Sequence, residues 1–363
     1  MSASSLAPGL RSSGFLPAAI GRPTAALGLL TVLLLIVAMV AATIGAAGIP
    51  LSRLPAALGS VSGDPAFVAR DSLVLWSIRL PRIALAAVVG AMLAAAGTMM
   101  QGLFRNPLAD PGLVGVSSGG ALAAAGTIVL GDKLLPSLGV TLPIAALPFA
   151  AFIGSLITTI ILYRFSTRDG RTSIATFLLG GLAIAALAGA GIGLLVFLAD
   201  DRQLRDITFW MLGSLGGSTW AKLEATAPFL VAVVIALPFI ARGLDLLVLG
   251  EAEAFYGGIS VERLKRIGIV LVAAATGAAV SVSGVIGFVG IIVPHLLRLS
   301  IGPGHRLLLP ASMLFGGALL LGADTIARVI AAPAELPIGI VTALIGAPFF
   351  LGLLMRQRGL IGL

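Results

Sequence analysis

Apolar runs of about 20 residues recur along the whole chain, and this repetition limits the fold more than any motif does. One of them, RLPRIALAAVVGAMLAAAGTMMQGLF at residues 79–104, is long enough as a helix to cross a bilayer. A soluble core would alternate apolar and polar positions at helix or strand period, whereas these runs are apolar on every face. Strands of a membrane barrel would be shorter and alternating. Composition agrees: 58% of the 363 residues are hydrophobic and 10% charged, against about 25% charged in an ordinary soluble domain. The expected fold class is therefore all-α, a polytopic membrane protein.

The runs predict ten spans, near 25–47, 80–104, 113–131, 141–163, 174–198, 225–241, 266–282, 285–299, 307–329 and 337–355. The eighth is short and interrupted by Gly284, Gly287, Gly290 and Pro294, so it is tilted, buried in protein, or half a crossing. Residues 1–24, rich in Ser, Gly and Pro, read as a disordered cytoplasmic tail, and 25–363 as one ten-helix transmembrane domain. The first run exceeds a signal-peptide core and reads as a retained span.

Ten crossings from an inside N-terminus put fourteen of the 23 Lys and Arg on the cytoplasmic side and nine outside, which satisfies the positive-inside rule. Both termini are then cytoplasmic. The net charge of +8 reports loop arginines that set orientation, not a nucleic-acid surface.

Several chemistries are excluded. The chain has no cysteine, no phosphate-binding Gly-x-x-x-x-Gly-Lys-Ser/Thr loop, no His-Glu-x-x-His helix and no Gly-x-Ser-x-Gly elbow. No catalytic or metal-ligating set is expected. Proton-coupled transport would need ionisable groups at mid-membrane. Asp324 lies at the outer end of its span, paired by i, i+4 spacing with Arg328, and His295 and His305 fall at the cytoplasmic side. The largest cytoplasmic connection, LDLLVLGEAEAFYGGISVERLKR at 244–266, reads as short surface helices that are either a linker or a surface docking into a partner's groove.

RLPR at 79–82, QGLFRNPLADPGLVGVSSGG from Gln101, LGE ending at Glu251, GFVGIIVPHLLR from Gly287, LLLP and ADTIAR within 307–328, and ELPIGIVTALIGAPFF from Glu335 occur in the order seen in one family. Together they resemble the permease subunits of binding-protein-dependent ABC importers for iron chelates, haem and cobalamin, over residues 25 to 355.

The resemblance implies a homodimer in the bacterial inner membrane with the pathway on its axis, two ATP-binding subunits beneath and a periplasmic haem- or siderophore-binding protein above. ATP and Mg would be used by the partner subunits, with no cofactor on this chain. It implies that Arg79, Arg82 and Arg328 dock the binding protein, where forked guanidinium groups suit carboxylates. Gly250, Glu251, Ala254 and Gly258 would dock the ATPase, although Gly257 stands where the family often has leucine. Thr172 and Ser173 would narrow the cytoplasmic end of the pathway.

The stretch 199–220, with Arg202, Arg205 and Trp210, looks most like bacterial haem permeases and would form the cargo entrance. Haem import is thus the expected function, with ferric siderophore, then cobalamin, as alternative cargo. A secondary transporter and a membrane-embedded enzyme are the readings from other classes. Asn106, Pro107, Asp110 and Pro111 read as a structural turn. His295 reads as structural rather than as a haem ligand.

Overall fold

The computed structural model describes residues 23–361 apart from 46–47, 62, 113, 135–145, 169–170 and 333. The expected tail lies outside the described residues except for residues 23 and 24, which already belong to the first helix. In chain order the helices are α1 (Pro23–Thr43), α2 (Leu54–Ala57), α3 (Pro65–Val74), α4 (Leu80–Phe104), α5 (Val116–Leu134), α6 (Ala146–Ser166) and α7 (Ile174–Leu198). They continue with α8 (Asp201–Met211), α9 (Trp220–Leu249), α10 (Glu251–Tyr256), α11 (Val261–Ser283), α12 (Val289–Ile301), α13 (His305–Ile330) and α14 (Ile338–Ile361). The one addition to an all-helical chain among the described residues is a two-residue antiparallel ladder between α6 and α7, pairing Thr167 with Thr172 and Arg168 with Arg171.

Seven helical segments among the described residues are long and apolar enough to cross a membrane: α1, the continuous run Pro65–Phe104, α6, α7, α9, α11 and α13. Three shorter apolar segments, Val116–Gly131, Val289–Ile301 and Ile338–Gly352, occupy the places of the remaining expected spans. The second segment differs from the sequence expectation. RLPR does not open a helix; it lies inside one that begins at Pro65. Pro81 has no N–H and would ordinarily break such a helix. Just before it, Leu75–Arg79 winds as a π turn, and the Leu80 N–H bonds back to the Leu75 carbonyl, widening the helix where the proline enters it.

The centre of the bundle is α4, buried along most of its length and packed on α13, α11, α9 and α12. Small residues make this possible, because lipid supplies no hydrophobic drive between helices and close backbone approach must replace it. A Cβ on Gly90 would lie 2.3 Å from the Gly316 carbonyl oxygen of α13, and one on Gly97 would lie 2.1 Å from that of Gly290 in α12. The Gln101 amide also donates to the Gly290 carbonyl at 3.0 Å. The first turn of α12 is therefore packed one to two turns before the C-terminal end of α4. At 13 residues, α12 is short, as its glycines suggest, and its N-terminal half is buried in protein, one of the three arrangements the sequence leaves open.

Between α8 and α9 the chain is irregular, and its polar backbone is satisfied by protein. Ser214 N–H donates to Ser283 O at 2.8 Å, while Ile338 and Gly339 N–H groups donate to Gly213 and Leu212 O at 3.1 and 3.0 Å. This knot joins the end of α8 to the end of α11 and the start of α14.

Candidate functional site

At the end of the bundle expected to lie outside, α1 finishes, α4 passes its π turn, and α13 finishes beside them. The arginines expected to face outward are turned inward. Arg79 donates through Nη1 to the carbonyl of Ala42, an end-of-helix acceptor on α1, which is where a cation is favourable. Arg82 holds Asp324 through Nε (3.1 and 3.0 Å) and Nη2 (2.9 Å), and reaches Glu335 through Nη1 at 2.7 Å.

Asp324 also sits 3.1 Å from Arg328 Nε, so the i, i+4 pair read from sequence is present. It is one side of a bridge whose other side, Arg82, lies 242 residues away along the chain. A side chain at Gly45, in the loop after α1, would meet both Arg79 and Arg328. Arg79 and Arg82 are buried and Arg328 is half-buried. Asp71, buried on α3, pairs with Arg53 at 3.2 Å, whose guanidinium lies over Phe67 at 4.7 Å.

At the opposite end, α9 stops at Gly250, whose φ of +140° suits glycine. The short helix α10 follows, then Gly257–Gly258 and α11. Ala254 is buried, whereas Phe255 and Tyr256 project as exposed rings in edge contact, 6.1 Å apart. They line an open groove of about 800 Å³ with Arg171, Thr172, Glu251, Gly258, Glu262 and Lys265.

Of the four residues expected to form the docking surface, Glu251 and Gly258 reach this groove, Gly250 starts the helix, and Ala254 packs beneath it. Thr172 lies against the same groove and is buried, while Ser173 accepts the Thr176 N–H at 3.3 Å as the cap of α7. The structure thus brings the expected gate and the expected docking helix to one place. Their link was not legible in sequence: Glu262 accepts both the N–H and the hydroxyl of Thr172, at 3.1 and 3.2 Å, and Lys265 bridges Glu262 (3.2 Å) to Glu251 (3.0 Å).

The expected entrance residues are not brought together. Asp200 and Gln203 close a capping box that starts α8. Arg202 and Arg205 stand on its exposed face, Arg202 4.0 Å from Asp206, while Trp210 is half-buried at the other end. Its neighbour Met211 lines two largely apolar cavities, of about 590 and 390 Å³, which share Val285, Gly287 and Phe288. Phe288 holds a left-handed backbone (φ 69°) at the start of α12, unusual for a bulky residue.

Asn106 and Asp110 accept the N–H groups of Leu108 and Gly112 at 3.0 and 2.8 Å, as a structural turn requires. His295 contacts Phe349 edge-on at 5.8 Å. No cluster of three or more metal-ligating side chains is found among the described residues. Sequence reasoning also missed Asp245, whose carboxylate on α9 accepts the backbone N–H of His305 at 2.6 Å and lies 2.9 Å from its Nδ1, fixing the start of α13.

Residues 32–356 match the FecCD transport family. The chain belongs to that family. It is 46% identical over 338 residues to the hemin transport system permease protein HmuU of Yersinia pestis, covering 93% of this chain and 97% of that protein. It is 48% identical over 286 residues to the cobalamin import system permease protein BtuC of Halobacterium salinarum, covering 79% and 74%. A solved metal-chelate type ABC transporter in an inward-facing conformation superposes with a TM-score of 0.79 at 34% identity, over 93% of this chain and 100% of that one. This FecCD family chain is thus a multi-pass permease subunit of an ABC importer, and ATP hydrolysis belongs to separate subunits.

Proposed function

We propose that this permease passes haem across a bacterial inner membrane, as a homodimer of ten-span subunits with both termini cytoplasmic. The observation that carries the cargo is the end-to-end similarity to a hemin permease, 46% identity over 97% of that protein. The cobalamin permease matches at slightly higher identity but over only 74% of its length. Cobalamin is therefore the second reading, ahead of ferric siderophore. Arg202 and Arg205, exposed on α8, offer charge to the carboxylates of haem, and the cavities around Met211 and Phe288 offer apolar walls.

In this reading a binding protein settles over Arg79, Arg82 and Arg328, and two ATP-binding subunits, which carry ATP and Mg, seat in the grooves at α10. The test is uptake in proteoliposomes containing the permease, its ATPase and each binding protein in turn, offered haem, cobalamin or a ferric siderophore. ATP-driven accumulation of haem alone is the expected result. Accumulation of cobalamin or siderophore with haem left outside overturns the cargo.

A further inference from the structure

We propose that Lys265 is a positioning residue that joins the ATPase-docking helix to the cytoplasmic gate, through a relay Glu251–Lys265–Glu262–Thr172. The proposal rests on the docking and gate assignments above. The relay crosses three elements: Glu251 opens α10, Glu262 and Lys265 lie one turn apart in α11, and Thr172 ends the hairpin that leads into α7. Each link is a direct contact of 3.0–3.2 Å.

The Lys265 side chain is only 5% exposed, yet its two carboxylate partners are 44% and 31% exposed. A buried ammonium depends on its partners, because unpaired it would carry an uncompensated desolvation cost. The partners, being part-solvated, can trade it. One ammonium shared by two carboxylates makes the geometry competitive. If docking draws α10 and Glu251 away by about 1 Å, a displacement of the size that switches packed elements, Lys265 turns wholly toward Glu262.

Glu262 at that moment also holds Thr172 by two hydrogen bonds. Thr172 is further tied across the hairpin to the Thr167 hydroxyl at 3.0 Å, and Ser173 donates its N–H to Ser166 O at 2.9 Å before capping α7. A pull on Glu262 is therefore delivered to the first turn of α7. That helix packs on α5 and α6, but its first turn leaves Ala175 and Thr176 exposed, so the end that Glu262 reaches has room to move. The groups facing Lys265 from the groove are Glu251, Glu262 and, on the hairpin, Arg171. Both carboxylates lie within ion-pair distance of the ammonium.

The chain contains no cysteine, so Ala175→Cys, at an exposed position in the first turn of α7, gives one clean label. The permease with its ATPase subunits and binding protein in proteoliposomes is tested for maleimide labelling at position 175 with and without ATP and vanadate, and for cargo moved per ATP hydrolysed. In the otherwise unsubstituted chain, nucleotide changes the labelling rate. Lys265→Met and Glu262→Gln each shrink that change and lower cargo per ATP by about tenfold, within the usual range of coupling between sites. Lys265→Arg restores most of both, which a role in mere folding of the loop would not predict.

Glu262→Gln keeps Lys265 and its contact with Glu251, so it decides the matter if Lys265→Met fails to assemble. Wild-type nucleotide response and coupling in the assembled variants overturn the relay while the docking assignment stands. No nucleotide response in the unsubstituted chain overturns the docking and gate assignments and the relay with them.

Discussion

The end of the bundle expected to lie outside and the end expected to face the cytoplasm each carry a cluster of charges, made from similar parts in opposite arrangements. Outside, the central group is a carboxylate: Asp324, 1% exposed, held by Arg82 and Arg328, with Glu335 at the rim 49% exposed. Inside, the central group is an ammonium: Lys265, 5% exposed, between Glu251 and Glu262, both part-solvated. A buried centre gripped by forked guanidinium groups that are themselves largely buried has no alternative partner, so the outer cluster locks α4 to α13. A buried centre whose partners reach water can be re-paired by an arriving subunit. This chain has forked arginines in the cluster that is locked and a single lysine in the cluster that is part-solvated.

The sharpest way to break the comparison is Asp324→Asn. Removing the shared carboxylate leaves Arg328 without its ion pair to Asp324 and Arg82 with Glu335 alone, and the expected loss of stability is about 3–5 kcal/mol. Thermal unfolding in detergent measures it. A loss below about 1 kcal/mol would mean that the outer cluster is no more locked than the inner one.

A second substitution, Glu251→Gln, sharpens the contrast from the other end. Cargo moved per ATP should fall about fivefold, at the lower end of coupling effects, while the melting temperature stays close to that of the unsubstituted chain because Glu251 is 44% exposed. If stability falls as far as it does for Asp324→Asn, the inner cluster is structural.

Glu335→Gln should have a smaller effect, of opposite sign in function. The carboxylate competes with any docking carboxylate for Arg82 Nη1, 2.7 Å away. Its neutralisation should tighten binding of the binding protein by about two- to fivefold, a fraction of the energy of one exposed pair. Surface-immobilised permease reads this out, and weaker docking would show that Glu335 orients Arg82 instead of masking it. The smallest stability change is expected for Arg202→Ala with Arg205→Ala, within about 0.5 kcal/mol as for exposed sites generally. Haem uptake then reports whether those side chains meet the cargo.

Much of the helical plan was legible because each span is long, apolar and separately readable. The short eighth segment was legible too, from Gly284, Gly287, Gly290 and Pro294, since breakers act locally. The extent of the second helix was not: residues 65–78 are mixed in polarity, and the π turn that carries helix through Pro81 leaves no periodic signature. At the sites, the motif residues Arg79, Arg82, Arg328, Glu251 and Thr172 stood out, but the direction they face did not.

The amino-acid sequence by itself determined that this chain spans a membrane with helices, that it carries no nucleotide cradle of its own, and that its charges gather at helix ends. These follow from local composition and spacing, which act over one helix at a time. Only the tertiary structure decided that Arg82 belongs to Asp324, that Glu262 holds Thr172, and that Asp245 starts α13. Those pairs are 242, 90 and 60 residues apart. A carboxylate and a guanidinium, hydroxyl or N–H group find one another when packing brings them within about 3 Å, and that packing is set by which small residues let α4 approach its neighbours.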